Sequence, residues 1–310
     1  MILSQNPGSV STAERRSAHR PAALFVSVRP DQWTKNLVVF AGVLFGQRLF
    51  ELPALTRAVA AFGIFCVLSS AIYLLNDVAD RERDRRHPLK RLRPIASGEL
   101  PATTALGAAV VLAAAGLGGA LALGWYFFMV AAAYIGLLGL YSGPLKHIVI
   151  VDVLVIAFGF VLRAVAGAVA VDVESSHWLL VCTLLLALFV ALAKRRHELA
   201  ILDDEAIRHR PSLGEYDTGL LDQMIAIVSA STLVAYVFYT ISPETQLRFG
   251  TAWLGLTIPF PLYGIFRYLY VVHRREGGGS PAEQLLTDRP LLVCVVLWAL
   301  MAVLIIYRPR

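Results

Sequence analysis

Long apolar runs alternate along the chain with short polar breaks that are mostly cationic. Between those breaks the pattern predicts nine bilayer helices, roughly 36–52, 56–76, 104–124, 126–141, 148–170, 177–193, 222–241, 251–272 and 290–307. Helix is the expected state because a bilayer interior offers no water to satisfy backbone N–H and C=O groups. The first run is the weakest, being short and glycine-containing. Gly124-Trp125 predicts a tight turn with an interfacial aromatic anchor, and Trp178 and Trp253 suit the same anchoring role. Pro259 and Pro261 predict a kink in the eighth run. The expected fold is therefore all-α: a polytopic membrane protein of about nine transmembrane helices around a central cavity, with cytoplasmic cap loops. Residues 1–22 are polar with no apolar core and read as a mobile cytoplasmic tail ahead of a single transmembrane domain over 23–310.

Composition agrees with this reading: 57% of the 310 residues are hydrophobic and 16% charged, which excludes an ordinary soluble domain. The net charge of +6 is distributed unevenly. With the N-terminus inside, the inner segments carry 22 of the 28 Lys and Arg, the outer ones five, and Arg163 lies within a span. By the positive-inside rule the N-terminus and basic loops are cytoplasmic and the C-terminus is outside. Cys66, Cys182 and Cys294 all fall within apolar runs, and no Cys/His cluster exists, so disulfide and zinc chemistry are set aside. Nothing in the pattern calls for a nucleic-acid partner, while a homo-oligomer is compatible with it.

Candidate chemistry gathers where the second run ends. Asp77, Asp80 and Asp84 are spaced for one helix face with Asn76 and Tyr73, within an arc of about 100°. Carboxylates and an amide at the mouth of a membrane helix, beside a basic loop, suit magnesium bridging a phosphate ligand. Solvated ion pairs at a membrane boundary are the competing account of Asp80, Asp84 and their arginine neighbours. Arg163 lies 11 residues after Asp152, about 16 Å along a helix. An arginine that deep needs either a buried polar partner or a cavity that holds an anion. Lys146 on an inner loop can simply set topology, and Arg195 and Arg196 can be interfacial anchors with Glu198 as helix partner. His87, His147, His197 and His209 lie at inner loops without metal-ligand spacing and read as solvated or phosphate-adjacent. Arg267 reads as a snorkelling cation, Gly277-Gly-Gly-Ser280 as a flexible turn, and Glu283, Asp288 and Arg289 as a weak signal for cap closure.

Asn76-Asp-Val-Ala-Asp80-Arg-Glu-Arg-Asp84 resembles the NDxxDxxxD magnesium-diphosphate motif of the UbiA-type intramembrane prenyltransferase superfamily. Arg29-Pro-Asp-Gln-Trp33-Thr-Lys35-Asn36 is similar to its RPxxWxKN segment, Lys90-Arg-Leu-Arg93-Pro-Ile-Ala-Ser-Gly98 to its KxxRPIASG loop, and Tyr141-Ser-Gly-Pro-Leu-Lys146 to its YxxxLK segment. The second acidic motif of the aromatic prenyltransferases, DxxxD, is replaced by Lys194-Arg-Arg-His-Glu198. A basic second site favours a second phosphate over a second metal, although Asp203, Asp204 and Asp217 lie near enough in sequence to supply one. That departure resembles the branch that acts on polyprenyl phosphates as phosphoribosyltransferases.

The resemblance implies a magnesium-dependent transferase in a bacterial plasma membrane. It would move 5-phosphoribose from phosphoribosyl diphosphate onto a decaprenyl-type polyprenyl phosphate, for cell-envelope glycan precursors. It implies Asn76 and Asp80 as metal ligands and Asp77 and Asp84 in catalytic support. Lys35, Tyr73, Asn76, Lys90 and Arg93 would contact the donor, and Lys146, Arg163, Lys194 and Arg195 the acceptor phosphate. The alternatives are a prenyltransferase joining a polyprenyl diphosphate to an aromatic acceptor and, in a different class, a membrane transporter.

Overall fold

A computed structural model describes residues 21–209, 215–274 and 287–308, with side chains omitted at 200–209 and 272–274. Residues 1–20, Gly277–Ser280 and Glu283 lie outside the described residues, as do the side chains of Asp203, Asp204 and His209. After a 3-10 helix, Pro30–Phe40, the helices are α1 (Ala41–Phe45), α2 (Leu52–Ala79), α3 (Arg81–Arg86), α4 (Pro94–Ser97), α5 (Ala102–Leu123), α6 (Trp125–Ser142), α7 (Val151–Ala170), α8 (His177–His209), α9 (Thr218–Ile241), α10 (Pro243–Phe249), α11 (Pro259–Arg274) and α12 (Arg289–Ile306). No strand occurs among the described residues.

Among the described residues seven helices are long and apolar enough to cross a membrane: α2, α5, α6, α7, α8, α9 and α12. An eighth crossing is made only if α10 and the stretch Trp253–Val271 count as one span bent by 101°. Two of the nine expected runs are not single continuous helices. The first run is the 3-10 helix followed by α1, ended at Gly46 and Gln47, the latter at φ +57. The eighth run starts as a 3-10 turn, Trp253–Thr257, and Pro259 opens α11 instead of kinking it, because proline fits the first turn of a helix.

Neighbouring helices pack in chain order, α2 on α5, α5 on α6, α6 on α7, α7 on α8 and α8 on α9, with α12 against α11. The 3-10 helix lies inside this arc, touching both α2 and α7. It can do so because of two glycines. A Cβ on Gly167 would overlap the Val39 carbonyl, and one on Gly42 would overlap the Gly167 backbone, so main chain meets main chain there. The approach brings Lys35 and Asn36 into the interior.

Helix length decides where the polar motifs lie. At 1.5 Å per residue, the 28 residues of α2 span about 42 Å, well beyond a hydrocarbon core of about 30 Å. The surplus carries Asn76 to Ala79 toward the polar boundary. The 33 residues of α8 overshoot in the same way at Lys194 to His209. At the opposite ends Arg57 closes two helices, its Nε donating to the Ala170 carbonyl at 2.5 Å and its Nη2 to Leu123 at 3.0 Å. A cation on the last carbonyls of α7 and α5 complements their dipoles.

A paired acidic motif and a cationic cluster

The acidic stretch is bent, not continuous: α2 stops at Asp80 (φ −92, ψ 2), and α3 begins at the next residue. Even so, Asp77 and Asp84 converge on one guanidinium, with Arg93 Nη1 at 3.1 Å from Asp77 and 2.7 Å from Asp84. Arg29 Nη2 adds a second contact to Asp77 at 2.5 Å, and its guanidinium lies 5.3 Å from the Tyr73 ring centre. Both carboxylates are buried and satisfied. Asp80 takes a different partner. Its Oδ1 accepts from Lys146 Nζ at 2.6 Å, with Arg83 3.8 Å away. Lys146 thus sits on the acidic motif, although the sequence resemblance had placed it with the acceptor phosphate.

Asn76 Oδ1 is enclosed by protein yet has no hydrogen-bond partner. An orphaned carbonyl-type oxygen one turn before the Asp80 carboxylate fits a hard divalent cation, which takes a few oxygen ligands and completes its shell with water and phosphate oxygens. Among the described residues no group of three or more His, Cys, Asp or Glu side chains could hold a metal by itself. A cation here would therefore lean on its substrate for ligands. Asp217, the described candidate for a second site, instead caps α9, accepting from the Leu220 amide at 2.8 Å.

The residues expected to serve donor and acceptor separately meet around Lys35. Burial, followed by the charges of Lys194, Arg163 and Arg29, pushes the Lys35 ammonium down to about 7, with Asp31 opposing. Lys35 thus lies within electrostatic reach of three other cations, of which Arg29 is paired with Asp77 and Lys194 with Glu198. Lys194 is exposed, with Glu198 at 3.8 Å. Arg163 is buried: Nε donates to Asn36 Oδ1 at 2.7 Å, Nη1 to the Gly159 carbonyl at 3.0 Å and Nη2 to the Tyr134 hydroxyl at 2.7 Å. The Tyr134 and Phe160 ring centres lie 4.8 and 5.1 Å from its guanidinium. Asn36 continues the network to Ser69 at 3.1 Å, and Trp33 donates to Ser70 at 3.1 Å. The RPxxWxKN segment is thereby laid along α2.

Arg195 is not exposed to a cavity. It is 2% exposed and donates to Asp152 at 2.9 Å and Glu198 at 2.6 Å. Lys90 is half-buried on the turn Lys90–Leu92. His87 does not face solvent: its Nδ1 accepts from the Leu89 and Lys90 amides at 3.1 and 3.3 Å and so shapes that turn. Arg267 does not snorkel; it holds Asp288, the cap of α12, at 2.8 and 3.1 Å. Sequence reasoning missed Arg29, Asp152, Tyr134 and Tyr216 as site or framework residues. Arg29 lay within a quoted motif and Asp152 at the edge of an apolar run, but nothing local marked their partners.

Residues 36–286 match the family model described as "UbiA prenyltransferase family". The chain belongs to the UbiA prenyltransferase family. It is a multi-pass membrane transferase. It is 32% identical to "Decaprenyl-phosphate phosphoribosyltransferase" of Corynebacterium glutamicum, over 99% of this chain and 94% of that one. It is 34% identical to the protein of the same name from Mycolicibacterium smegmatis, over 89% of this chain and 90% of that one. The fold matches a UbiA homolog from Archaeoglobus fulgidus solved with GPP and Mg2+, with a TM-score of 0.70 at 20% identity, covering 92% of this chain and 99% of that one.

Proposed function

We propose that this UbiA-family protein transfers 5-phosphoribose from phosphoribosyl diphosphate to a decaprenyl-type polyprenyl phosphate, releasing diphosphate. The observation that carries this reading is the cationic cluster of Lys35, Arg163 and Lys194, the last of which opens the segment Lys194–Glu198 that replaces the second acidic motif of a prenyltransferase. The names of the two near-full-length actinobacterial relatives support the same substrates. In the reaction the bond from the anomeric carbon to the diphosphate oxygen breaks, and a bond from that carbon to a phosphate-monoester oxygen of the lipid forms. The monoester is largely ionised at neutral pH, its second pKa being about 6, so no general base is needed. Rate enhancement comes from holding two anions in line and stabilising the charge that departs.

Asn76 and Asp80 would hold magnesium, which when bound neutralises charge on the leaving diphosphate. Asp77 and Asp84 fix Arg29 and Arg93 beside the acidic motif. Lys35 and Tyr73 face the donor, with Lys90 at the loop. Lys194 and Arg163 supply positive potential for the acceptor phosphate. The excess of cations on the loops that bear these residues supports a cytoplasmic site, with the N-terminus inside and the C-terminus outside a bacterial plasma membrane.

A second reading, transfer of a prenyl diphosphate to an aromatic acceptor, is favoured by the archaeal neighbour's GPP complex. The two separate in one assay on purified protein. Labelled phosphoribosyl diphosphate with polyprenyl phosphate should put label into the lipid fraction with Mg2+ and none with EDTA. An unlabelled lipid fraction, together with consumption of a prenyl diphosphate and an aromatic acid, overturns the first reading.

Lys35 adds a pH signature. Its ammonium is depressed to about 7, so it is charged below and neutral above that value. A bound phosphate favours the charged form, and binding above pH 7 must therefore take up a proton. Donor KM is expected to rise with pH above 7, by at most about tenfold per unit. In Lys35→Met the KM should be high and lack this rise. Initial rates from pH 6 to 9 test it, and an unchanged slope in the variant removes Lys35 from the donor site.

A further inference from the structure

Ile150 has φ +68 and ψ −44, and it is the one β-branched residue at positive φ among the described residues. The Val151 amide donates to the Val149 carbonyl at 2.8 Å, closing a γ-turn of the rare, strained hand around Ile150. Such a conformation persists only when its surroundings hold it, and an outlier of this kind points to a constraint worth finding. The constraint is Tyr216, which lies just before α9. Its hydroxyl accepts the Ile150 amide at 2.7 Å and donates to Asp152 Oδ1 at 3.0 Å. Tyr216 and Asp152 are both buried.

The same cluster reaches the other end of the intervening turn. Asp152 Oδ2 accepts from Arg195 Nε at 2.9 Å, and Arg195 Nη2 lies 3.4 Å from the Tyr141 hydroxyl. Tyr141 and Ile150 flank the turn Leu145–His147, and that turn carries Lys146, whose Nζ meets Asp80 at 2.6 Å. Both ends of the lysine-bearing turn are therefore met by one assembly drawn from α6, α7, α8 and Tyr216, two residues before α9.

We infer that Tyr216, Asp152 and Arg195 are positioning residues: they hold the Leu145–His147 turn so that Lys146 stays registered on Asp80 and on the diphosphate bound beside it. Tyr216 is the decisive member, because its hydroxyl accepts the N–H of the strained residue while it donates to Asp152. Arg195 then acts through Lys146 and not by touching the acceptor phosphate. The inference rests on the proposed function for the identity of the donor, but the brace can be read without it.

The first readout is hydrogen exchange of the detergent-solubilised full chain, with no substrate present. In Tyr216→Phe, exchange across 143–152 should quicken at least tenfold while α2 and α5 are unchanged. The second is the affinity of Mn2+ with inorganic diphosphate, read by electron paramagnetic resonance, which should fall at least fivefold. The third is kinetic: donor KM rises about tenfold, acceptor KM stays within twofold, and the melting temperature stays within a few degrees. Glycine tolerates the Ile150 conformation without a clamp. Ile150→Gly added to Tyr216→Phe should therefore recover most of the diphosphate affinity. Faster exchange with unaltered diphosphate affinity, or a parallel rise of both KM values with lowered melting, reduces the cluster to scaffolding and overturns the inference. Slow exchange in Tyr216→Phe overturns it as well. If wild-type protein binds Mn2+-diphosphate through the brace but labels no lipid, the phosphoribosyl reading fails and the brace stands.

Discussion

Asp80→Asn is expected to lower metal-dependent kcat/KM by about 10³-fold while the protein remains helical and membrane-inserted. The substitution keeps the shape of the side chain and removes one formal charge at the aspartate that pairs with Lys146, where Asp77 and Asp84 pair with the half-buried Arg29 and Arg93. Asn76 Oδ1 can supply a second oxygen but no charge. The metal ion would then be held by neutral ligands beside the Lys146 ammonium and the Arg83 guanidinium, whose charges repel the cation once no carboxylate offsets them. Loss of one preorganised electrostatic contact costs about 10²–10³ in rate, and weakened metal retention adds to that. The fold should tolerate the change, because an amide oxygen still accepts from Lys146, at a cost of about 1 kcal/mol. Mg2+ titrations of activity, with circular dichroism as the control, check this. A variant with the wild-type Mg2+ curve would show that Asp80 does not hold the metal.

For Arg163→Ala the larger effect should be on stability. The guanidinium joins the 3-10 helix, α6 and α7 through Asn36, Tyr134 and Gly159, in a place from which water is excluded. Truncation strands the Asn36 amide oxygen and the Tyr134 hydroxyl, at about 1–3 kcal/mol each, and leaves a cavity against two rings. A loss of about 3–5 kcal/mol follows, seen as a fall of roughly 6–12 °C in Tm in detergent. Arg163→Lys should restore less than half of it, since an ammonium cannot span three acceptors as a planar fork does. Acceptor KM should rise in both variants, because a cation is lost from the cluster or moved within it. Wild-type melting in Arg163→Ala would mean that the network carries little of the fold.

Much of this was visible along the chain. Apolar runs placed α2, α5, α6, α7, α8, α9 and α12 within a few residues, apart from the extension of α8, because in a bilayer composition alone selects helix. The first and eighth runs are not single continuous helices, for one reason. Asn36, Gly42 and Gly46, or Gly250 and the prolines, break an apolar run without changing its mean hydropathy. The acidic motif and the missing second one were equally legible, since both are local patterns on a helix end.

What each carboxylate does was not legible. Asp77, Asp80 and Asp84 share an arc by helical periodicity, yet two of them lie on arginines and one on a lysine. Those partners are Arg29, 48 residues before Asp77; Arg93, 16 after it; and Lys146, 66 beyond Asp80. The Arg163 link to Asn36 crosses 127 residues, and the Tyr216 clamp on Ile150 crosses 66. The sequence by itself determined the membrane class, the helix ends that carry the motifs and the cationic Lys194–Arg196 run where a second acidic motif would stand. The tertiary structure alone decided which cation meets which acid, because helix rotation and the Gly42–Gly167 crossing set those pairings, and neither appears in a periodicity of 3.6 residues.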